Sequence, residues 1–297
     1  MRIIDAHVHL YPPEINRDPS AWAAAQGERH WGTLCTRVRK NGRPVQAFPS
    51  AAELLRDMDA AGIERAVLLG WYWEKHDTCV RQNRFFADCR RAHPDRLTAF
   101  AVFHPAAGSV PVLEEIRRSA GEGFAGLGEL SPHSQGVSVD DRVWREALAL
   151  AGELRLPVNL HVTELQGKSY PGKVETPLGD FVRMAREFPE TNFILAHWGA
   201  RLPIDPALGA AARACGNLYY DSAASPLLYE QRVFREMIDA AGPGRVLYGS
   251  DYPLDLYPRQ PDMASIGALA IETRASGLVE TERDALLSGN AARLLRI

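Results

Sequence analysis

Eight short apolar runs alternate with amphipathic stretches along 297 residues, and histidines or acids cluster at the ends of several runs. These observations predict an α/β protein, a (β/α)₈ TIM barrel with a long loop insertion after the first strand. The runs fall near 3–8, 65–70, 97–103, 124–129, 157–162, 192–197, 217–222 and 245–250. They are nearly continuous in Val, Ile, Leu, Ala and Phe, which suits strands covered on both faces. The alternative is a doubly wound open sheet, but no glycine-rich phosphate loop follows the first run.

The first run reads Ile3-Ile4-Asp5-Ala6-His7-Val8-His9. Alternate residues of a strand face the same way, so His7 and His9 project together. About forty residues then pass before the next helix, and residues 10–49 carry Pro12-Pro13, Trp22, His30, Trp31, Arg37, Arg39, Lys40 and Arg43. A connection that long is usually functional or disordered. Its aromatics argue for order and its origin at a barrel strand end places it over the site, so it is expected to act as a substrate-covering lid. A solvated surface excursion is the alternative.

Ser50 to Ala61 has helical spacing, with Ser50 and Glu53 forming a capping box and Gly62 stopping the helix. Asp141 to Leu154, Pro177 to Phe188 and Glu230 to Ala241 read as helices too, the last broken by Gly242-Pro243-Gly244. No repeat or linker divides the chain, so residues 1–297 are expected to form one barrel domain.

Composition narrows the partners. The hydrophobic fraction is 46%, the charged fraction 24% and the net charge −3, with both signs interspersed. No basic block suits nucleic acid, and no apolar run is long enough for a membrane span. No charged segment followed by an apolar one reads as a secretory signal. Cys35, Cys79, Cys89 and Cys215 lack CxxC spacing and read as free thiols of a reducing cytoplasm. A small-molecule substrate is therefore the expected partner.

In a barrel the active site lies at the C-terminal ends of the strands. His7, His9, Glu129, His161, His197 and Asp251 all have that address, on strands 1, 4, 5, 6 and 8. Singly, each has a plain explanation as a core histidine or a turn acid. Together they form the imidazole and carboxylate set that a catalytic divalent metal needs. Zn²⁺ suits the set, as do Mn²⁺, Fe²⁺ and Co²⁺. Glu129 is open as a ligand, a bridge to a second ion, or a group orienting a histidine. Candidate substrate contacts are Trp71 in Trp71-Tyr72-Trp73, His104, His133, Glu164, Lys168, Tyr170, Trp198 and Arg201, with Tyr252 beside Asp251. Arg201 and Lys168 suit a substrate carboxylate. Packing under the loops, or solvation, is the alternative for each.

His7-Val8-His9 after the opening strand, the strand-end His161 and His197, and Asp251 on the eighth strand resemble the amidohydrolase superfamily. The closing segment Ser288-Gly289-Asn290-Ala291-Ala292-Arg293-Leu294-Leu295 is similar to the terminal helix of that group. Within it the chain resembles the "amidohydrolase 2" family, which holds aminocarboxymuconate semialdehyde decarboxylase, resorcylate-type decarboxylases and lactone hydrolases. The resemblance implies that His7, His9, His161 and Asp251 hold one metal, with two not excluded. It also implies that similar enzymes are often homodimers. No lysine ends strand 4, so a carbamylated lysine bridge is not expected. Glu129 stands there instead, as in the branch with metal-dependent deoxyribonucleases, whereas the decarboxylases typically lack it.

Water on such a metal has its pKa lowered to about 7, which makes hydroxide available at neutral pH. Asp251 is placed to accept the proton of that water and hand it to the leaving group, and His197 to polarise the substrate carbonyl or act as a second proton-transfer group. The leading expectation is thus a metal-dependent hydrolase of a small lactone, amide or ester, aromatic or carboxylated. The alternative is a metal-dependent nonoxidative decarboxylase, a lyase acting on an aromatic or unsaturated acid. A non-enzymatic metal-binding barrel comes third.

Overall fold

The computed structural model describes residues 2–165, 167, 169–258 and 265–297. Eight parallel strands lie in the order of the sequence: β1 (Ile4–Val8), β2 (Arg65–Leu68), β3 (Leu97–Ala101), β4 (Gly126–Leu130), β5 (Val158–Leu160), β6 (Phe193–Leu195), β7 (Leu218–Asp221) and β8 (Val246–Leu247). Seven of the eight predicted runs contain one of them, and β4 overlaps its run and extends one residue beyond it to Leu130. The barrel closes where Ala6 N donates to Tyr248 O at 2.8 Å and Asp251 N to His7 O at 2.9 Å. Val8 also bridges Tyr252 in parallel fashion.

Two apolar layers follow from strand alternation. Ile4, Ala6, Val67, Leu69, Phe100, Ile194 and Leu247 pack together inside the barrel. Ala291 and Leu295 of the terminal helix α14 (Asn290–Leu295) join them and close one end. Ala66, Leu68, Ala99 and Leu127 face outward to the helices. On β1 the strict period breaks. Val8 packs in the outer layer, and the β1–β2 register shifts between Asp5 and Val8. That shift turns His7 and His9 to a common centre. The β4–β5 register shifts likewise between Leu127 and Leu130, the stretch that carries Glu129.

Short helices α1 (Pro13–Arg17), α2 (Pro19–Gln26) and α3 (Arg29–Cys35) occupy the insertion after β1. No helix was expected there, and none of the three exceeds eight residues. An aromatic cluster anchors the insertion: Trp31 lies 5.2 Å from Tyr11, 5.9 Å from Phe48 and 5.4 Å from Trp73. α4 (Ala51–Ala61) has the predicted capping box, with Ser50 Oγ accepting from Glu53 N and Glu53 Oε2 from Ser50 N. Gly62 ends it with φ +69°, a conformation that costs glycine little.

α5 (His76–Ala92), α6 (Ser109–Gly121), α7 (Arg142–Glu153) and α8 (Leu178–Glu187) follow β2 to β5. α7 starts at Asp141, whose Oδ1 accepts from Val143 N and Trp144 N. Later come α9 (Gly209–Ala214), α10 (Ser225–Leu228), α11 (Val233–Ala241), α12 (Ser265–Arg274) and α13 (Glu280–Asp284). Among the described residues no helix is long and apolar enough to cross a membrane. The four cysteines are free.

Candidate metal centre and active-site cavity

Six strand-end side chains converge at the C-terminal mouth of the barrel. His7, His9 and Asp251 bring ligand atoms within 4.8 Å of one another, and Glu129, His161 and His197 form a second such set. The sets adjoin: Glu129 Oε2 lies 3.7 Å from His9 Nε2, and Asp251 Oδ2 lies 3.8 Å from His197 Nδ1. The sequence reading grouped His161 with His7, His9 and Asp251. The structure instead places His161 Nδ1 3.0 Å from Glu129 Oε1 and 3.2 Å from His197 Nε2.

Hydrogen bonds behind the rings fix which nitrogens are bare. Burial raises the Asp221 carboxyl, but the His7 and His197 charges and hydrogen bonds outweigh it and hold Asp221 below its ordinary range. Asp221 is therefore an acceptor, and His7 donates to it from Nδ1 at 2.9 Å. His9 donates from Nδ1 to Leu69 O at 3.0 Å. The two Nε2 atoms are left 3.1 Å apart, with Asp251 Oδ1 3.7 Å from His7 Nε2 and 3.5 Å from His9 Nε2. In neutral rings this opposes lone pair to lone pair beside a carboxylate, an arrangement that a cation relieves.

The second set has the same character. His197 donates from Nδ1 to Ala223 O at 3.2 Å. Thr163 Oγ1 spends its proton on Val174 O at 2.7 Å and so accepts from His161 Nε2 at 3.3 Å. His161 Nδ1, His197 Nε2 and Glu129 Oε1 then face one another bare. This donor set fits a divalent metal of borderline character.

The charges agree. Burial disfavours a charge on His7, yet the Asp221, Glu129 and Asp251 carboxylates outweigh it and push His7 up to about 10. Burial, then the His7 charge, push His9 down to about 3. Burial raises Asp251 to about 6 against the pull of His7 and His197. It also works against ionising Glu129, but His161, His197 and His7 hold that carboxyl well below the usual range. The cluster thus draws positive charge to the gap between the rings.

Two glycines let the strands come this close. A Cβ on Gly249 would stand 2.7 Å from His7 Cβ, and one on Gly128 would stand 2.7 Å from Asn159 O. Asp221 was not foreseen as part of the site. It accepts from His7 Nδ1 and Asn159 Nδ2 through Oδ2, and from His197 N and Ala223 N through Oδ1. An acid closing the apolar run Leu218–Asp221 was the available signal.

A cavity of about 570 Å³ opens above the donors. His9, Glu129, His161, His197 and Asp251 line its floor, and Trp71, Tyr72 and Tyr170 its walls. Trp71 and Tyr72 stack at 4.4 Å between ring centroids. His30, Leu34, Cys35, Arg37, Arg39 and Gln46 of the insertion line the cavity too.

Several expected substrate contacts are engaged elsewhere. His104 Nδ1 accepts from Ala106 N at 3.1 Å and caps the turn Pro105–Ala107. His133 Nε2 bonds Asp180 Oδ2 at 3.0 Å. Trp198 is buried, donates to Ser225 Oγ at 3.0 Å and packs on Phe234. Arg201 pairs with Glu236 at 3.0 Å and lines a smaller neighbouring cavity of about 310 Å³. Tyr252 donates to Asp57 Oδ2 at 2.6 Å, away from the donors. Of the expected contacts, Trp71, Glu164 and Tyr170 line the main cavity, and Lys168 lies outside the described residues.

The fold is similar to 2,6-dihydroxybenzoate decarboxylase from Rhizobium, with a TM-score of 0.69 and 19% identity over 100% of this chain and 99% of that one. It is similar to 5-carboxyvanillate decarboxylase from Novosphingobium aromaticivorans with bound manganese and 3-methoxy-4-hydroxy-5-nitrobenzoic acid (TM-score 0.77, 18% identity, 100% and 97% covered). A probable 2-pyrone-4,6-dicarboxylic acid hydrolase from Acinetobacter baumannii, with citric acid bound, shares it as well (TM-score 0.66, 14% identity, 100% of both chains). At these identities the likeness is one of fold. Residues 4–297 match the amidohydrolase family in sequence, and with the strand-end donors in place on an eight-stranded barrel, the chain belongs to that family of metal-dependent enzymes.

Proposed function

We propose that this enzyme is a metal-dependent nonoxidative decarboxylase of a small aromatic or unsaturated carboxylic acid. The hydrolase expected first from the sequence becomes the second reading. One observation carries the choice: the donor cluster forms the floor of a cavity walled by the stacked Trp71–Tyr72 pair and Tyr170 and bearing Arg37 and Arg39. Flat aromatic walls with cationic groups suit a planar anion. Two of the similar folds are enzymes named for the decarboxylation of such acids.

His7, His9 and Asp251 would hold the ion, with Glu129, His161 and His197 beside it. When bound, a divalent cation such as Zn²⁺ or Mn²⁺ supplies Lewis acidity that polarises a substrate oxygen. The protein does the rest. Trp71 and Tyr72 stack on the substrate ring and exclude water from it. Asp251 hands a proton to the ring carbon, and the substrate carboxylate leaves that carbon as carbon dioxide. His197, with Nδ1 tied to Ala223 O, accepts from a substrate hydroxyl through its bare Nε2. The insertion after β1 covers the cavity as a lid.

The second reading, hydrolysis of a lactone or ester, rests on the Glu129–His161–His197 set. A second ion there would equip the site to activate water, with Asp251 taking the proton. The deciding experiment supplies the metal-loaded enzyme with 2,6-dihydroxybenzoate, 5-carboxyvanillate and 2-pyrone-4,6-dicarboxylate in water labelled with heavy oxygen. Released carbon dioxide is trapped and the products are weighed. Carbon dioxide without label in the product is expected. Labelled product without carbon dioxide would establish the hydrolase instead.

A further inference from the structure

We propose that Arg37 recognises a second anionic group on the substrate, a carboxylate carried away from the reacting centre, so that the preferred substrate is a small planar dicarboxylate. This rests on the reading above that the cavity receives a carboxylic acid.

Two arginines line the cavity, and they differ in their partners. Arg39 is committed: its Nη1 donates to Asp255 Oδ2 at 2.6 Å and its Nη2 to Asp255 O at 2.8 Å. Arg43 donates from Nε to the same Oδ2 at 3.2 Å. Asp255 Oδ2 is thus shared by two guanidinium groups. Arg37 meets no carboxylate among the described residues, and its Nε is buried without a hydrogen-bond partner. Its guanidinium instead lies over the Tyr170 ring, 4.9 Å from the centroid.

That placement is held from both sides. The Arg37 carbonyl accepts from Val45 N at 3.1 Å, and Val38 bridges Pro44 in antiparallel fashion, so a short ribbon fixes the backbone. Tyr170 comes from the β5–α8 connection, which also meets the insertion where His30 Nε2 bonds Gly172 O at 2.9 Å. The ring supports the guanidinium face and leaves its donor edge free. A guanidinium edge binds carboxylate bidentately, a geometry that an ammonium cannot match. The metal donors and Arg37 line the same cavity. Among the described residues that line the cavity, Arg37 is the arginine without a carboxylate partner that an anion seated on the donors can meet. The sequence reading gave this role to Arg201 and Lys168, and Arg201 is taken by Glu236.

The test measures binding. Benzene-1,3-dicarboxylate and benzoate are titrated calorimetrically into the metal-loaded protein. The dicarboxylate is expected to bind about tenfold more tightly. Arg37→Gln should bring the two affinities within about twofold while melting temperature and metal content stay unchanged. Arg43→Gln removes the same charge outside the cavity and should keep the preference. Should Arg37→Gln fail to fold, Arg37→Lys keeps the charge without the planar fork and is expected to cut the preference by about threefold. Equal affinities in the unaltered protein would overturn the proposal. So would a preference that survives Arg37→Gln, or Arg37→Lys where that variant stands in, leaving Arg37 as a cover for Tyr170. A protein that prefers the dicarboxylate but releases no carbon dioxide from any acid would refute the decarboxylase and leave this subsite standing. Carbon dioxide release indifferent to Arg37 would do the reverse.

Discussion

Replacing Asp221 with asparagine separates support of the donors from the donors themselves, because Asp221 faces the rings from behind. Its two oxygens accept four buried donors: His7 Nδ1 at 2.9 Å, Asn159 Nδ2 at 3.0 Å, His197 N at 3.0 Å and Ala223 N at 3.1 Å. Asparagine offers one acceptor oxygen, so in either orientation its amide N–H₂ points at two of those donors. Each buried donor left without an acceptor costs about 1–3 kcal/mol, which gives a loss of roughly 2–6 kcal/mol in stability. His7 also loses the anion that fixes its tautomer. Loss of such an orienting partner typically weakens metal binding by about 10- to 100-fold, or about 1.4–2.7 kcal/mol. Urea denaturation of the metal-free protein reads the first quantity, and competition with a fluorescent chelator reads the second. Stability within about 0.5 kcal/mol of the unaltered protein, together with unchanged metal affinity, would refute the assignment of donors and acceptors around His7.

Gly249→Ala would bring a methyl group 2.7 Å from His7 Cβ, and the strain is expected to cost about 1–3 kcal/mol and to lower metal content, as read by thermal melting and elemental analysis. Ser50→Ala removes the cap of α4 and should lower unfolding free energy by about 1 kcal/mol with turnover unchanged, since Ser50 lies outside the cavity. Asp251→Asn should reduce turnover by about 10²-fold or more while the dicarboxylate still binds, and near-normal turnover with metal retained would remove Asp251 from the chemistry. Dialysis against a chelator should abolish turnover and lower the melting temperature, with both restored by Zn²⁺ or Mn²⁺. One ion per chain accompanies the decarboxylase reading, and two accompany the hydrolase.

The barrel was legible because its strands are buried on both faces and read as continuous apolar runs. The donors were legible because each stands at the end of such a run. Asp221 was harder to see: an acid after Leu218-Tyr219-Tyr220 looks like any turn residue until four donors are found around it. α5 was not among the helices read from the sequence. Gln82 and Asn83 interrupt its apolar period, yet both are buried, where Gln82 Nε2 donates to Leu10 O and Asn83 brackets Val102 through its N–H and carbonyl. The insertion hid its helices because each is too short to show a period. Arg201 looked available for substrate, but the choice between substrate and Glu236 lies in α11, thirty-five residues further on. Sequence position shows where a side chain starts and tells nothing of which neighbour claims it.

The seam between β8 and β1 also sets an order of events in synthesis. His7 emerges from the ribosome 214 residues before the Asp221 that orients it, and Asp251 comes later still. Through that interval the opening strand has one edge without its partner, and its apolar side chains await an interior that does not yet exist. A truncated polypeptide ending before β7 would carry all four of the site histidines yet lack Asp221 and Asp251. Completing the His7–His9–Asp251 set therefore requires that translation has run past the last strand, so that loading of this set serves as a readout of completed folding.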